Sequence, residues 1–356
     1  MAEQETIKEI KDKIYLNYSL DDQDKLVVEK SLESGINFDR IKTILDLIIQ
    51  IRLDKSSVLG FLAYQHYKVF PDKNEEIYNL LNDEEKQMFA DYKTIRDISS
   101  LTLSEEIDDI RKMFIIMGQD LRVVIIKLCG IYYDIKTLNL PLNDDEWHFV
   151  KQVKEVHVPL CERLGLDSLK QNLADNVVRL SNPDEYKRLL STVESKKEEN
   201  EKQLELTRSK LQAILDDLKI NGEIICRIKH ISSIFNKLHN KNVSIDKIYD
   251  ILAMRVIVDT VDECYAILGR IHAIYKPMIG RVKDYIANPK PNGYKSLHTT
   301  IIVDNQHPLE VQIRTREMHK EAEYGGVCAH WLYKEKKDKK NDFDNRLTWF
   351  RQIIEN

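Results

Sequence analysis

Helical periodicity runs almost unbroken from Ile7 to about Leu190 and gives way near Asn221 to short β-type runs. This change of texture limits the possible folds more than any other feature of the chain. In the first part, Ile41–Leu53, Glu105–Lys127 and Trp147–Leu164 repeat apolar residues at every third or fourth position, the spacing of one helix face. Ser104 before Glu105–Glu106, and Asn182–Pro183–Asp184, read as helix starts. Lys196–Lys219 is highly charged, with a thin stripe of Leu204, Leu211, Leu215 and Leu218, and reads as an exposed connecting helix packed along one seam. Beyond Asn221, Ile231–Lys241 is a short helix, and Val261–Tyr275 and Glu317–Tyr333 are amphipathic helices. Ile251–Val258, Thr299–Val303 and Leu309–Arg314 read as strands, the last two separated by the turn-like Asp304–Asn305–Gln306. Lys334–Asp342 is a linker-like charge run, and Phe343–Ile354 resumes a helical pattern. The expected class is α+β: an all-helical first half, then a small sheet with helices.

The 356 residues are too many for one ordinary core and suit two domains. Only 11 glycines and 8 prolines argue against a turn-dense all-β architecture. The five cysteines are odd in number, scattered and without a C-x-x-C pair, which speaks against a disulfide framework or zinc ribbon and for a reducing cytoplasm. No apolar run approaches the ~18 residues of a membrane helix, and Met1–Lys13 has no apolar signal core. A net charge of −5 counts against a general nucleic-acid binder, but the charge is uneven. Arg227, Lys229, Lys237, Lys241 and Lys247 face one acid, Asp246; Lys276, Arg281, Lys283, Lys290 and Lys295 face only Asp284. Such clusters mark either an anion site or a solvated basic face.

Leu309–Arg314 is the most informative strand. Leu309, Val311 and Ile313 share one face, and Glu310, Gln312 and Arg314 the other. A solvated outer face produces the same alternation. Asp250, at the start of the Ile251–Val258 strand, allows two carboxylates to meet across neighbouring strands. Paired acids near clustered Lys and Arg suit Mg²⁺-dependent phosphoryl-type transfer: the acids hold a hard cation, and the cations neutralise phosphate. In Lys290–His298, the Asn292–Gly293 turn exposes backbone N–H groups, and Tyr294 beside it is placed to stack on a base or simply to pack. Neither G-x-x-x-x-G-K-[ST] nor G-x-G-x-x-G occurs, so no P-loop or Rossmann phosphate site is available.

Five segments, Arg227–Ile234, Tyr249–Arg255, Arg281–Ile286, Asn292–His298 and Glu310–Thr315, together resemble the synthetase domain of the long RelA/SpoT-homologue family. The likeness runs from about Arg227 to Tyr333, and the helical half, including His157–Gly165, follows the family's order. The resemblance implies a hydrolase (HD-type) domain at 1–160, a helical connector at 161–220, a mixed-sheet, nucleotidyltransferase-like synthetase at 221–334, and a linker with terminal helix at 335–356. It implies synthesis of (p)ppGpp, the alarmone of the stringent response, by attack of the 3′-oxygen of GDP or GTP on the β-phosphorus of ATP, with release of AMP. Carried over, Asp250 and Glu310 would hold Mg²⁺, with Glu310 also the base. Arg227, Lys229, Ser233, Lys237 and Lys283 would contact ATP. Lys290, Asn292, Tyr294, His298 and Gln312 would form the guanosine-nucleotide site. Arg281–Asp284 has the basic R-x-K-D form of bifunctional members.

The helical half departs from the family. The first His falls at Phe38, the His-Asp pair at Ala63–Tyr64, the following acidic pair at Tyr67–Lys68 and the distant Asp at Gly130. A metal site needs imidazole or carboxylate ligands. The half therefore reads as folded but hydrolytically dead, binding no Mn²⁺ and partly filled by Tyr64, Tyr67, Tyr132 and Tyr133. The expectation is a cytoplasmic Mg²⁺-dependent synthetase with no membrane or DNA partner. Ribosome contact would need the further domains that long members carry past this point. The rivals are a bifunctional synthetase-hydrolase, a silent guanine-nucleotide sensor, and a nucleic-acid-binding or nucleotidyl-transferring protein.

Overall fold

The computed structural model describes residues 2–99, 120–241, 251–290, 293–303 and 307–324. The chain divides between Thr137 and Leu138 into two units.

The first unit is helical, as its periodicity predicts: α1 (Ala2–Asn17), α2 (Asp22–Ser31), α3 (Phe38–Ile51), α4 (Lys55–Val69), α5 (Glu75–Leu80), α6 (Asp83–Ser99) and α7 (Leu121–Thr137). Asn37 caps α3 by accepting from the Arg40 backbone N–H, and Asp54 caps α4 by accepting from that of Ser57. In α3, Ile41, Ile44, Leu45 and Ile48 are buried, each worth about 1.5–3 kcal/mol when fully removed from water. The α4 helix is buried from Ser56 to His66, because it packs against neighbours on more than one side. A Cβ at Gly60 would lie 2.8 Å from Met88 Cβ, so the approach of α4 to α6 depends on that glycine. Arg122, 5% exposed, ties the unit together by donating to Asp120, Asp54 and Glu84, at the starts of α7, α4 and α6. The Glu105 end of the predicted Glu105–Lys127 helix, and Ser104, lie outside the described residues.

The second unit opens with α8 (Asp144–Gln152), capped reciprocally by Asn143 and Glu146. The predicted Trp147–Leu164 helix continues through a π-helical turn, Val153–His157, into α9 (Val158–Arg163). Then follow α10 (Asp167–Ser181) and α11 (Pro183–Asp217), whose first helical residue is Pro183, as the Asn-Pro-Asp signal predicts. Its leucine stripe is extended by Thr207 and Ile214, both buried.

The sheet has the order β1 (Glu223–Ile228), β2 (Leu252–Val258), β5 (His307–Thr315), β4 (Leu297–Val303), β3 (Lys283–Asp284). It is mixed: β2 and β5 are parallel, and the other pairs are antiparallel. The helices α12 (Ile231–Lys241), α13 (Val261–Ile274) and α14 (Arg316–Tyr324) complete the unit. One sheet face is hydrocarbon: Met254, Val256, Val258, Leu309, Val311 and Ile313 form a core with Leu211 and Leu215 of α11, Ile234 of α12 and Ile267 and Ile271 of α13. β1 and β3 go unread in the sequence, β1 because its apolar run is only Ile224–Ile225–Cys226 before two cations. Lys334–Ile354, the predicted Asp304–Gln306 turn and the end of the Glu317–Tyr333 helix lie outside the described residues. Among the described residues, no helix is long and apolar enough to cross a membrane.

Candidate active site

Strand pairing sets two rows of polar residues side by side on the face away from the core. Arg227 stands opposite Ala253, Ala253 opposite Glu310, and Glu310 opposite Thr300. In the next row, Arg255, Gln312, His298 and Lys283 are successive partners. Residues paired across a sheet point to the same side, so all of these share one face. Ala253 contributes only a methyl between Arg227 and Glu310. This face is not the solvated exterior that alternation alone allows: Gln312 is 6% and Arg314 1% exposed.

The face is strongly cationic. Arg255 and Arg314 both donate to the Glu323 carboxylate of α14, at 2.8 and 2.9 Å, and Arg314 also meets His319 Nδ1 at 2.6 Å. Two buried guanidiniums thus share one acid. Their Nε–H groups have no hydrogen-bond partner among the described residues. Burial, together with the neighbouring Arg314 and Arg227 charges, pushes Arg255 down to about 10. Burial opposes ionisation of Glu323, but the two arginines prevail and hold its carboxyl below the ordinary value. His319 is pushed down to about 4 by burial and then by Arg314. The i, i+4 pair His319 and Glu323 therefore serves the arginines rather than a metal.

The predicted ATP residues fall into two places. Arg227, on β1, donates to Gln312 Oε1 at 3.3 Å. Lys229 extends the β1–β2 pairing through its backbone N–H to Ile251 O, and Ser233 and Lys237 follow on α12. The helix α10 holds this segment: Ser233 Oγ donates to Gln171 Oε1 at 3.1 Å, and Asp175 accepts from the Ser232 backbone N–H at 2.8 Å and meets His230 Nδ1 at 2.9 Å. Lys283 instead stands beside His298 on the opposite edge, four strand spacings or roughly 19 Å from Arg227.

The predicted guanosine residues lie around β4. Gly293, at φ 78°, closes a turn in which its N–H donates to Lys290 O at 2.8 Å. Nothing lies within 4 Å of a Cβ built there, so glycine is required by backbone conformation, not by space. The exposed N–H expected from Asn-Gly is thus spent within the turn. Tyr294 packs edge-to-face on Tyr285 and His298, and Lys290 Nζ lies 4.9 Å from its ring centroid. Tyr294 Oη is 2.9 Å from His298 Nε2, and His298 Nδ1 is 2.9 Å from Glu310 Oε1. Burial lowers the His298 pKa despite the pull of Glu310, and burial raises that of Tyr294. Asp250 and Asn292 lie outside the described residues.

Sequence reasoning set Arg314 on the face of Glu310 and Gln312, but missed Arg255 and Glu323 as parts of it. A lone arginine inside the apolar run Ile251–Val258 was the available signal for Arg255. Asp167, at the start of α10, carries no local signal, yet it feels Lys290 and Arg227, while burial raises its pKa.

In the first unit, Phe38, Ala63 and Tyr64 are buried at 9%, 0% and 7% exposure. Tyr64 stacks on Tyr67 and Tyr92, with Phe89 edge-on. Tyr133 instead lies beside Asn37 and under the Arg40 guanidinium, and Tyr132 under Lys136. A Cβ at Gly130 would fall 2.9 Å from Arg40 Nη2, and Arg40 pairs with Asp134. His66, 2% exposed, packs on Phe70 and bonds Glu33 and Asn74.

Fold and site define an α+β domain with a cationic, carboxylate-bearing sheet face suited to an anionic ligand, preceded by a helical unit. Residues 226–338 match the family described as "Region found in RelA / SpoT proteins", and residues 29–167 match the HD domain. The chain belongs to the RelA/SpoT family. It is 36% identical over 310 residues to the GTP pyrophosphokinase of Myxococcus xanthus, covering 86% of this chain and 41% of that protein. Against the guanosine-3′,5′-bis(diphosphate) 3′-pyrophosphohydrolase of Borreliella burgdorferi, identity is 37% over 315 residues, covering 86% and 46%. The chain spans less than half the length of these relatives. Among solved structures, small alarmone synthetase 2 of Bacillus subtilis is 28% identical, with 44% of this chain and 89% of that chain covered and a TM-score of 0.32.

Proposed function

We propose that this chain is a cytoplasmic (p)ppGpp synthetase, transferring the βγ-pyrophosphate of ATP to the 3′-hydroxyl of GDP or GTP. The observation that carries the reading is Glu310, a carboxylate on a cationic sheet face between Arg227 and the His298–Tyr294 pair. The relatives named GTP pyrophosphokinase support it.

In this reading Arg227, Lys229, Ser233, Lys237 and Lys283 bind ATP, chiefly its phosphates. Lys290, Asn292, Tyr294, His298 and Gln312 bind the guanosine nucleotide, with Tyr294 stacking on guanine. Glu310 takes the 3′-hydroxyl proton; the 3′-oxygen bonds to the β-phosphorus, the bond from that phosphorus to the α–β bridging oxygen breaks, and AMP leaves with that oxygen. Positioning and charge neutralisation by the arginines and lysines provide most of the rate.

The donor chemistry fits Mg²⁺. Glu310 offers a hard carboxylate, and among the described residues no group of three or more His, Cys, Asp or Glu could form an all-protein cage. A cage is not needed, because Mg²⁺ typically takes one or two carboxylates plus phosphate oxygens and water. Glu310 and Asp250 would hold it, and when bound it neutralises phosphate charge.

The hydrolase-named relatives favour a second reading, a bifunctional enzyme, and so does the R-x-K-D form of Arg281–Asp284. Against it stand Phe38, Ala63, Tyr64 and Gly130, none of which offers a ligand at the positions that the family resemblance assigns to the metal. Incubation with ATP, Mg²⁺ and GDP or GTP, followed by product separation, tests both. AMP and a 3′-pyrophosphorylated guanosine nucleotide are expected. No such product would overturn the synthetase; Mn²⁺-dependent pyrophosphate release from ppGpp would establish the second reading.

A further inference from the structure

Tyr294, His298 and Glu310 make one continuous hydrogen-bonded chain across the β4–β5 pair. Tyr294 Oη is 2.9 Å from His298 Nε2, and His298 Nδ1 is 2.9 Å from Glu310 Oε1. An ionised carboxylate only accepts, so Nδ1 carries the hydrogen and donates it to Glu310. In the neutral ring Nε2 then holds the lone pair and accepts the tyrosyl O–H. Every link has its donor and its acceptor, and the direction of each bond is fixed by the chemistry of its two ends.

The chain joins two places that are separate in the sequence. Tyr294 follows the Gly293 turn, whereas Glu310 stands in β5, opposite Thr300 and Ala253. His298 reaches it diagonally, since its own partner across the pair is Gln312. The His298 and Glu310 side chains are only 15% and 16% exposed, so little water competes for these bonds. The ring is further held by Tyr285, edge-on at 5.3 Å.

We propose that His298 is a positioning residue that fixes the plane of the Glu310 carboxylate, with the Tyr294 hydroxyl fixing His298 in turn. Docking of a guanosine nucleotide against the Tyr294 ring and alignment of the carboxylate that meets its 3′-hydroxyl are then a single event. The proposal rests on the synthetase reading of this sheet face. Its logic is that of an oriented acid–imidazole pair, with the imidazole here orienting the acid. The ring and the hydroxyl of Tyr294 do different things: the ring stacks on the base, and the hydroxyl holds His298, which in turn holds the catalytic carboxylate.

Tyr294→Phe separates the two in the full chain. GDP affinity measured by calorimetry without divalent cation should stay within roughly twofold, because the ring remains. The KM for GDP should also hold, while kcat falls between roughly tenfold and a hundredfold, the cost of a misaligned reacting group. His298→Asn, whose amide N–H takes the place of Nδ1–H, should keep more activity than His298→Ala. In proton NMR of the parent, the His298 Nδ1–H resonance, assigned by its loss in His298→Asn, should move on GDP addition and in Tyr294→Phe. An unchanged kcat in Tyr294→Phe, or a resonance indifferent to the Tyr294 hydroxyl, overturns the proposal. A parent that makes no pyrophosphorylated product overturns the synthetase reading instead, and the resonance still reports on the chain.

Discussion

The Arg314 guanidinium, 1% exposed, donates to the Glu323 carboxylate at 2.9 Å, and that carboxylate is also the acid paired with Arg255. Removing the acid leaves two desolvated cations facing each other. Glu323→Gln should therefore destabilise the fold by about 3 kcal/mol, the typical cost of breaking a buried pair from one side. Urea denaturation midpoints of parent and variant measure it. A shift near zero would mean that water or another anion already compensates these arginines.

Glu310→Gln and Asp250→Asn should each lower synthesis by about 10²–10⁴-fold, on the scale of losing a general base. The glutamine can still accept from His298 through its amide oxygen, so Glu310→Gln should keep the parental circular-dichroism melt. Near-normal turnover in either variant would refute the two-carboxylate assignment.

Tyr294→Ala should weaken GDP or GTP binding by roughly 1–3 kcal/mol, by analogy with aromatic stacking platforms for nucleic acids, and leave ATP binding nearly unchanged. Calorimetry with each nucleotide separately tells the two apart. Equal losses would show that removal of the ring had disturbed the packing of Tyr285 and His298 across the whole cleft.

The helical half and the α+β half were legible because helix and strand periods differ, and so was the split of β5 into apolar Leu309, Val311, Ile313 and polar Glu310, Gln312, Arg314. The order of the strands was not. Nothing local says that β2 lies beside β5, 57 residues away by the Ala253–Glu310 register, and only that pairing sets Arg255 next to Gln312. The sequence puts Arg227 and Lys283 in separate basic clusters, the resemblance groups both with ATP, and the sheet sets their strands on opposite edges. The roles of Glu323 and His319 were not legible, because their partners Arg255 and Arg314 belong to strands.

His319 predicts an acid-side loss of stability. Its folded pKa is about 4, against 6.5 unperturbed, because burial and Arg314 oppose its charge. Between those values the unfolded chain binds a proton that the folded chain does not, so the stabilisation is full above pH 6.5 and is lost as the pH falls toward about 4. Discounted for the ring's solvent exposure, the effect is about 1.5 kcal/mol. Glu323, with its own lowered pKa, contributes only below its ordinary value of 4.5. Denaturant midpoints from pH 6.5 to 5 should fall more steeply in the parent than in His319→Asn. Identical slopes would rule His319 out as the source.

The first unit should take up no Mn²⁺, because Phe38, Ala63 and Tyr64 present hydrocarbon or a phenol where ligands would be needed. Titration of the intact chain with Mn²⁺, followed by electron paramagnetic resonance of the free ion, measures this directly. Stoichiometric uptake that survives Glu310→Gln and Asp250→Asn would locate a metal in the helical unit.

Gly130 leaves a hollow on α7 that the Arg40 guanidinium has taken over, 2.9 Å from where a Cβ would begin. An aspartate placed at that position would meet a resident cation before it met any metal, and would close on it as an ion pair. A carboxylate there would bind a metal only if Arg40 swung aside, leaving Asp134 without its partner and Tyr133 without its cover.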